Sequence, residues 1–599
     1  MFELEYPFDS EFILKKKKSL KKQLLDRKDV NYIEKKIAIL GGSTTNDIKN
    51  ILELFLLNYG IKPVFYESEY NQYYEEAMFP NQILEEFAPD IIYFHTSNRN
   101  VIKYPDLSSK ENEVEELLKT TYLRFEQMWN RVIDVYHCTI IQNNFELPLY
   151  RLLGNKDASD FHGKVNFISR LNLMFYEFAQ SHDNFFIHDI NYESATYGLD
   201  KWSDPFYWHM YKYCMCVPAI PYTAFNLANI IKSIYGKNKK VISLDLDNTL
   251  WGGIIGDDGV NNIEIGQETS VGQTFSEFQH YIKEHKHLGV LLTINSKNNM
   301  EVACSGLRRP DTVLKEEDFV SIKANWEAKS QNLLDTAMEL QLLPESFVFI
   351  DDNPAEREIV RRGVDGVAVP EIGEPEHYIQ IIDKSGFFEA TNVSLDDLRR
   401  NEMYKTNAER KKAELNYQNY DEYLQSLNME GSIKEFEAMY MARISQLTNK
   451  SNQFNLTTRR YSQSEIEEVT GDSRYITLYG KLEDKFGDNG VVSVIIGNKK
   501  KDELHIDLWI MSCRVLKREM EYAMMDELVD KCKGENITKI YGYYYPTAKN
   551  GMVREFYQLQ GFTKIEEDGE GNTKWEYIID KNYRRKNRVI RVNGANKVK

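Results

Sequence analysis

The sequence predicts a multidomain α/β protein. At 599 residues the chain is long enough for three or four domains of ordinary size. Hydrophobic residues make up 42% of it and aromatic residues 13%, which is enough to build real cores. Short apolar runs alternate with longer segments of helical character, a pattern typical of sheets covered by helices. We therefore expect three regions that contain both strands and helices, joined by charged helical segments.

The most informative stretch is VISLDLDNTLWGGIIGDDG, residues 241–259. Its first four residues, Val241–Leu244, are apolar and predict a buried parallel strand. Asp245 and Asp247 follow, at the strand end where open α/β sheets bind their ligands. Carboxylates this close repel each other unless a cation lies between them or one is protonated, so they indicate magnesium with a phosphate group. The alternative is a capped turn between strand and helix, because Asp-x-Asp-Asn also suits a turn.

Three later segments also carry polar groups at the end of a predicted strand or at the start of a predicted helix. Residues 289–294 and 346–350 predict apolar strands, and residues 325–340 predict a helix. Their ends carry, in this order, a hydroxyl, a lysine and an acid pair: Ser296, Lys329, and Asp351 with Asp352. This set of four motifs resembles that of the haloacid dehalogenase (HAD) superfamily of phosphotransferases.

The resemblance and the chemistry of these groups imply the same roles. Asp245 would attack phosphorus, and Asp247 would protonate the leaving oxygen and then activate water. Ser296 and Lys329 would hold the phosphoryl oxygens. Carboxylates would bind Mg²⁺ together with a backbone carbonyl: Asp245, Asp247, Asp351 and Asp352.

The composition argues against two kinds of binding partner, nucleic acids and membranes. A formal net charge of −17 argues against a main role in binding nucleic acid or an anionic membrane. The first residues resemble no signal peptide, and no run of 18 apolar residues predicts membrane insertion. The 6 cysteines are too scattered for a disulfide framework. We therefore expect a cytoplasmic protein with no nucleic-acid partner.

Residues 1–34 predict a charged helical lead-in, and residues 35–237 predict the first α/β domain. Strands are expected at 36–40, 63–66, 91–94, 139–141 and 185–188. The domain resembles SGNH-type hydrolases of flavodoxin-like architecture, which implies a possible second site of four residues: Ser43 as nucleophile, Asn98, and the pair Asp204 and His209. That pair is five residues apart, whereas the family spaces it by three. A serine between a strand and a helix is also an ordinary N-cap.

Residues 238–375 predict the HAD core, in which residues 254–265 would form a short hairpin flap over an open site. Residues 376–430 predict a charged helical linker.

Residues 431–583 predict a third domain, with a helix at 433–447, strands at 475–479, 491–496, 504–511 and 537–544, and a strand-to-helix turn after 511. It resembles GNAT-type acyltransferases, which bind coenzyme A at a glycine-lined turn. Lys517, Arg518 and Glu519 stand at that turn here, so we expect a carrier-bound phosphopantetheine arm in place of coenzyme A. The contacts would come from Cys513, Arg514, Lys517 and Arg518. The alternative is that these are ordinary solvated residues of a first helical turn.

The basic tail, 584–599, is expected to be disordered.

The chain as a whole resembles FkbH-like proteins, HAD subfamily IIIC. The motifs that carry this resemblance are LDLDNTLWGG, NSKNN, EEDFVSIKANWEAKSQNL, FVFIDDNPAERE and QLTNKSNQFNLTTRRYS. The resemblance implies removal of phosphate from 1,3-bisphosphoglycerate and transfer of its glyceryl unit to an acyl carrier protein, in polyketide or surface-polysaccharide biosynthesis. Some members have a cysteine at the position of Asn295, and the nearest thiol here is Cys304, which leaves direct attack by a carrier thiol open. The alternative is a plain magnesium-dependent phosphatase of a small metabolite, with flanking domains that are inactive docking modules.

Overall fold

The computed structural model describes residues 1–593 except 29, 415, 451, 452 and 548; the side chains at 395, 396, 408, 412, 450 and 513 are also outside the description. The chain folds as two compact units. The first is Met1–Ile234 with Ser462–Glu465, and the second is Tyr235–Tyr461 with Ile466–Lys599. None of the helices described is both long enough and apolar enough to cross a lipid bilayer.

The first unit is built on a parallel five-stranded sheet of order β2-β1-β3-β4-β5. Its strands are β1 (Ile33–Gly41), β2 (Ile61–Glu67), β3 (Ile91–His95), β4 (Thr139–Asn143) and β5 (Phe185–His188). Its helices are α1 (Ser10–Leu25), α2 (Asn46–Asn58), α3 (Tyr73–Met78), α4 (Gln82–Phe87), α5 (Glu111–Tyr136), α6 (Lys164–Gln180), α7 (Ile190–Tyr197), α8 (Leu199–Trp202), α9 (Pro205–Tyr211) and α10 (Ile220–Ile234). All five predicted strands are present, because each combines an apolar run with a polar or glycine-containing end.

The predicted lead-in is an integral part of this unit. Its helix α1 buries Ile13, Leu20 and Leu24 and packs against α2 and α10. The lysine run that suggested a solvated helix covers only the opposite face, since charged side chains at helical spacing leave one apolar stripe.

The second unit begins with a parallel four-stranded sheet of order β8-β7-β6-β9. Its strands are β6 (Val241–Leu244), β7 (Leu291–Ser296), β8 (Ser321–Ala324) and β9 (Phe347–Ile350). Its helices are α11 (Ile255–Asp258), α12 (Ser270–His287), α13 (Met300–Leu307), α14 (Lys329–Leu340), α15 (Pro354–Gly363) and α16 (Tyr378–Lys384). The sequence did not predict β8, which is short and alternates buried and half-buried residues at the edge of the sheet.

Two predictions about this region need correction. The flap at 254–265 is not a hairpin: it contains the short helix α11, and a single bridge joins Gly252 to Glu264. The segment 376–430 is not a free linker either. At its start Tyr378 and Ile382 belong to the core around β6, and near its end Tyr423 and other apolar residues belong to the core of the C-terminal sheet. The many charged residues on the outer helical faces made this apolar packing difficult to predict from the sequence.

The remaining chain forms a mixed eight-stranded sheet of order β15-β16-β14-β13-β12-β11-β10-β17. Its strands are β10 (Glu430–Lys434), β11 (Tyr475–Asp484), β12 (Gly487–Lys500), β13 (Glu503–Met511), β14 (Lys539–Tyr544), β15 (Thr563–Glu567), β16 (Thr573–Ile578) and β17 (Arg591–Val592). Its helices are α17 (Leu395–Leu398), α18 (Arg400–Glu414), α19 (Tyr420–Ser426), α20 (Met441–Lys450), α21 (Gln463–Gly471), α22 (Met520–Gly534) and α23 (Phe556–Leu559).

The four strands predicted here are present, but both ends of the region differ from expectation. The predicted helix at 433–447 is instead β10 followed, after a turn, by α20. The described part of the tail is not disordered, because Arg591–Val592 pairs with β10 and Ile590 and Val592 are buried. Residues 594–599 lie outside the described residues.

Candidate active site

The centre of the candidate site is a buried lysine between two carboxylates. Asp245 follows β6, Asp351 follows β9, and Lys329 is the first residue of α14. The Lys329 Nζ atom lies 2.9 Å from Asp245 Oδ2 and 2.5 Å from Asp351 Oδ2. β6 and β9 are adjacent parallel strands, so their carboxyl ends meet at one edge, as the sequence predicted.

The environment determines the protonation of these groups. Burial lowers the pKa of Lys329, but the Asp245 and Asp351 carboxylates offset this, so its pKa is raised and the ammonium stays charged. Burial, and then the nearby Asp245 carboxylate, raise the pKa of Asp351 to about 6 although Lys329 opposes this shift. One lysine therefore neutralises only part of the negative charge at this edge.

The site also contains oxygen atoms suited to a hard cation. One oxygen from each of three carboxylates, Asp245, Asp351 and Asp352, lies within 4.8 Å of the others. Asp245 Oδ1 is buried and has no hydrogen-bond partner among the described residues. An unpartnered buried carboxylate oxygen is costly unless a cation meets it, so the donor set fits Mg²⁺.

Asp247 does not join this acidic group, and its predicted role as a side-chain metal ligand needs correction. Its Oδ1 accepts hydrogen bonds from Trp251 Nε1 at 2.9 Å and from the Ile255 backbone N–H at 3.0 Å. Its Oδ2 accepts one from Asn298 Nδ2 at 3.1 Å. Burial raises the pKa of Asp247, while the Ile255 and Trp251 donors act in the opposite direction. A carboxyl held in this way remains suited to general acid/base work.

Other residues fix the strand ends. Thr249 Oγ1 accepts the backbone N–H of Asp352 at 3.2 Å. Arg357 donates to the backbone oxygens of Asp351 and Asp352, both at 2.8 Å. Ser296 is buried at the end of β7, where its predicted contact with a phosphoryl group stays a prediction. Trp251, Asn298 and Arg357 were not identified from the sequence, although all three lie within its quoted motifs.

The first unit does not form the predicted serine hydrolase site. Asp204 caps α9 by accepting the Phe206 N–H, and His209 is exposed on that helix. Among the described residues, no hydrogen bond joins either of them to Ser43. The Asn98 side chain donates to the backbone oxygen of Glu146 at 3.3 Å. The five-residue spacing explains this result, because it places Asp204 at a helix start and His209 in the next turn.

Ser43 instead contacts a buried thiol. Its Oγ lies 3.5 Å from Cys214 Sγ, which is 3.2 Å from His95 Nε2. Tyr93 joins His95 Nδ1 to His188 Nδ1 at 2.9 and 3.1 Å. Burial raises the pKa of Cys214 to about 12 and lowers that of His95 to about 3. The pair is therefore neutral at physiological pH, and the thiol is not activated.

The C-terminal domain differs from the expectation at the turn before α22. Arg518 is buried, and it donates to Asp484 Oδ2 and to Asn407 Oδ1, both at 3.1 Å. The predicted carrier-arm contact by Arg518 therefore needs correction, since its guanidinium is buried and already bonded to Asp484, which it shares with Arg410. Arg514 is half-buried and donates to Ser512 Oγ at 3.2 Å. Lys517 is exposed, and the Cys513 side chain lies outside the described residues.

In the same domain, the segment 454–457 fills the gap between strands β13 and β14. β13 and β14 pair only from Glu503 to His505 and then diverge. The segment 454–457 occupies the gap: the Leu456 N–H donates to Trp509 O at 3.3 Å, and the Tyr545 N–H donates to Leu456 O at 2.9 Å. Backbone groups that an extended amide ligand would need are thus taken by the chain itself.

Comparisons with known proteins match the first unit and, separately, a larger part of the chain. Residues 36–232 match the family model "FkbH, N-terminal domain". The crystal structure of the N-terminal part of the protein BF1531 from Bacteroides fragilis, containing a phosphatase domain complexed with Mg, is similar at 29% identity and a TM-score of 0.58. The match covers 63% of this chain and 99% of that one. No curated protein sequence matches the chain.

Two other solved structures resemble about a quarter of the chain. The ribosomal-protein-S18-alanine N-acetyltransferase from Escherichia coli has 12% identity and a TM-score of 0.20, covering 26% of this chain and 99% of that one. Ard1 from Thermoplasma volcanium has 19% identity and a TM-score of 0.21, covering 25% and 99%. Scores this low carry no argument, so the GNAT and SGNH resemblances stay predictions. The fold class, a multidomain α/β protein, is confirmed.

Proposed function

We propose that the chain is a magnesium-dependent phosphatase or phosphotransferase that uses Asp245 as its nucleophile. The observation that carries this proposal is the Lys329 ammonium held between Asp245 and Asp351, beside a buried Asp245 oxygen with no partner among the described residues. The Mg-bound phosphatase domain of the similar Bacteroides fragilis protein supports it.

Each group has a distinct task in the proposed reaction. Asp245 attacks phosphorus as a carboxylate, which needs no base to activate it. Asp247 gives a proton to the leaving oxygen and takes one from the attacking water in the second half. Lys329 stabilises the charge on the phosphoryl oxygens. Mg²⁺, held by Asp245, Asp351 and Asp352, would add positive charge beside the same oxygens when bound.

The test compares Asp245→Asn with Asp257→Asn in phosphate release from p-nitrophenyl phosphate with Mg²⁺. Loss of a required nucleophile should lower kcat by several orders of magnitude. Asp257 is an exposed acid on α11 that contacts none of the site residues described above, so its amide variant should keep wild-type activity. Near-wild-type turnover by Asp245→Asn would contradict the proposal.

We further propose that the acceptor of the reaction is an acyl carrier protein and that the transferred group is the glyceryl unit of 1,3-bisphosphoglycerate. The match of residues 36–232 to the FkbH model supports this choice. A carrier thiol would attack the carbonyl carbon of the acyl phosphate directly, forming a thioester and releasing that phosphate, because Asn295 offers no thiol and Cys304 is buried, with a pKa raised mainly by that burial. Asp245 would take the other phosphoryl group, on the C3 oxygen, so the carrier keeps an unphosphorylated glyceryl unit. Intact-mass analysis should show a glyceryl gain on a holo-carrier and none on the apo form. Phosphate release with an unchanged holo-carrier would contradict this step.

One set of observations favours the alternative, a plain phosphatase flanked by inactive docking modules. Ser43 lacks a histidine base among its described contacts, and the gap between β13 and β14 is filled. The carrier experiment separates the two candidates, since only the transferase changes the mass of the carrier.

A further inference from the structure

Three asparagines form a hydrogen-bonded network beside the candidate site. Asn295 is in β7, Asn325 follows β8, and Asn332 is in the second turn of α14. Asn332 Nδ2 donates to Asn295 Oδ1 at 3.3 Å and to Asn325 Oδ1 at 2.9 Å. Asn325 Nδ2 returns a bond to Asn332 Oδ1 at 3.1 Å. The network links three separate elements of the sheet edge.

The network reaches the backbone of one predicted site residue, and a backbone hydrogen bond of Asn325 reaches that of a second. Asn295 Nδ2 donates to the Lys329 carbonyl oxygen at 2.8 Å. The Asn325 backbone N–H donates to the Ser296 carbonyl oxygen at 3.1 Å. Asn295 and Asn332 are almost fully buried. Their side-chain amides therefore hydrogen-bond to other protein groups rather than to solvent.

Lys329 needs this support more than most residues of a helix start. Its side chain has four rotatable bonds, yet its Nζ must stay close to both Asp245 and Asp351. The residue before it, Ala328, has no side chain able to cap the helix. The position of Nζ thus depends on a backbone held from neighbouring strands.

The chemistry of the network requires amides. Asn332 uses both N–H groups as donors and its oxygen as an acceptor, which a carboxylate cannot do. A network with every group satisfied is rigid, whereas a partly satisfied one is costly in the interior.

We infer that Asn295, Asn325 and Asn332 are positioning residues, which hold the Lys329 backbone so that its ammonium meets the reacting phosphoryl group. This inference rests on the proposed function. None of the three needs to touch substrate, and Asn295 acts only through Lys329.

The test is a double-mutant cycle on phosphate release from p-nitrophenyl phosphate with Mg²⁺. Asn295→Ala should lower kcat about 10- to 100-fold, as loss of a supporting hydrogen bond does at other sites. The KM should change by no more than about threefold, because the lost interaction belongs to the transition state. In a Lys329→Met background the same substitution should change kcat by less than about twofold, because its effect passes through the lysine.

The matched control is Asn401→Ala. Asn401 is also buried and, like Asn295, uses its amide to donate to backbone carbonyl oxygens, here those of Lys286 and Val290, but it contacts no site residue described above. Its loss should leave kcat within about twofold of wild type while the melting temperature falls as it does for Asn295→Ala. Should Asn295→Ala fail to fold, Asn325→Ser at a half-buried position replaces it in the cycle.

The outcomes distinguish the inference from the proposed function. An equal loss of kcat from Asn295→Ala in both backgrounds, or an equal loss in Asn401→Ala, would overturn the positioning role. Full activity of Lys329→Met, or no phosphate release by the wild type with Mg²⁺, would overturn the proposed function itself.

Discussion

Glu146 is the residue whose environment departs most clearly from that of a free carboxyl group in the first unit. It is buried after β4, and its Oε2 accepts the Asn98 backbone N–H at 3.4 Å. Burial raises its pKa from 4.5 to about 8. The folded protein therefore holds a proton at Glu146 that the unfolded chain has already lost above pH 4.5.

This difference predicts a pH dependence of stability. The contribution of Glu146 to the free energy of unfolding is fully present below pH 4.5 and is lost as the pH rises to about 8. In that range the unfolded state binds fewer protons than the folded state. Glu146→Gln should remove this loss, so above pH 8 the variant should exceed wild type by an amount on the order of a few kcal/mol. Calorimetric unfolding from pH 5 to 9 measures it, with Glu116→Gln at an exposed position of α5 as control. Parallel pH profiles for wild type and Glu146→Gln would disprove the assignment.

At the same scale, the sequence predicted the members of the central cluster but not their supports. Asp245, Lys329 and Asp351 could be found because strand ends and helix starts are visible in a pattern, and parallel strands bring them together. Asn325 and Asn332 could not, since their pairing depends on how α14 lies against β7 and β8. Cys214 is likewise distant in sequence from Ser43, so the sequence could not predict that these two side chains are in contact.

Among the elements, the segment 454–457 makes the sharpest prediction. Leu456 is fully buried in the core of the C-terminal sheet, and Phe454 packs against Phe556 with ring centroids 5.1 Å apart. Leu456→Ala should therefore lower the free energy of unfolding by about 2–5 kcal/mol, the usual range for such a cavity. Denaturant unfolding measures this loss, and Leu559→Ala at an exposed position is the control.

The same segment predicts the outcome of a binding measurement. Because Leu456 takes the backbone groups of Trp509 and Tyr545, coenzyme A should give no heat of binding with the wild-type chain in calorimetry. Tight binding of coenzyme A would show that the segment leaves the gap readily and would restore an acyltransferase role for this domain.

Elements with strong apolar periodicity were predicted correctly, and those without it were not. β6, β7 and β9 are runs of buried residues, which the sequence displays directly. The helix predicted at 433–447 begins only at Met441. Ile433, Phe436 and Met441 fit a helical spacing, but Ile433 lies in β10, and only the pairing of β10 with β11 shows this.

For the whole molecule, the two compact units predict two unfolding transitions. Each buried cluster that is described lies within one unit or the other, and chains with several such cores usually depart from two-state behaviour. A ligand stabilises only the unit that binds it, so Mg²⁺ should raise the melting temperature of the second unit and leave the first unchanged. Glu146→Gln at pH 8 should shift only the first. Differential scanning calorimetry of the full chain measures both effects, and Asp351→Asn should abolish the response to Mg²⁺ without moving the transition assigned to the first unit. A single transition that responds to both Mg²⁺ and Glu146→Gln would mean that the chain unfolds as one cooperative body.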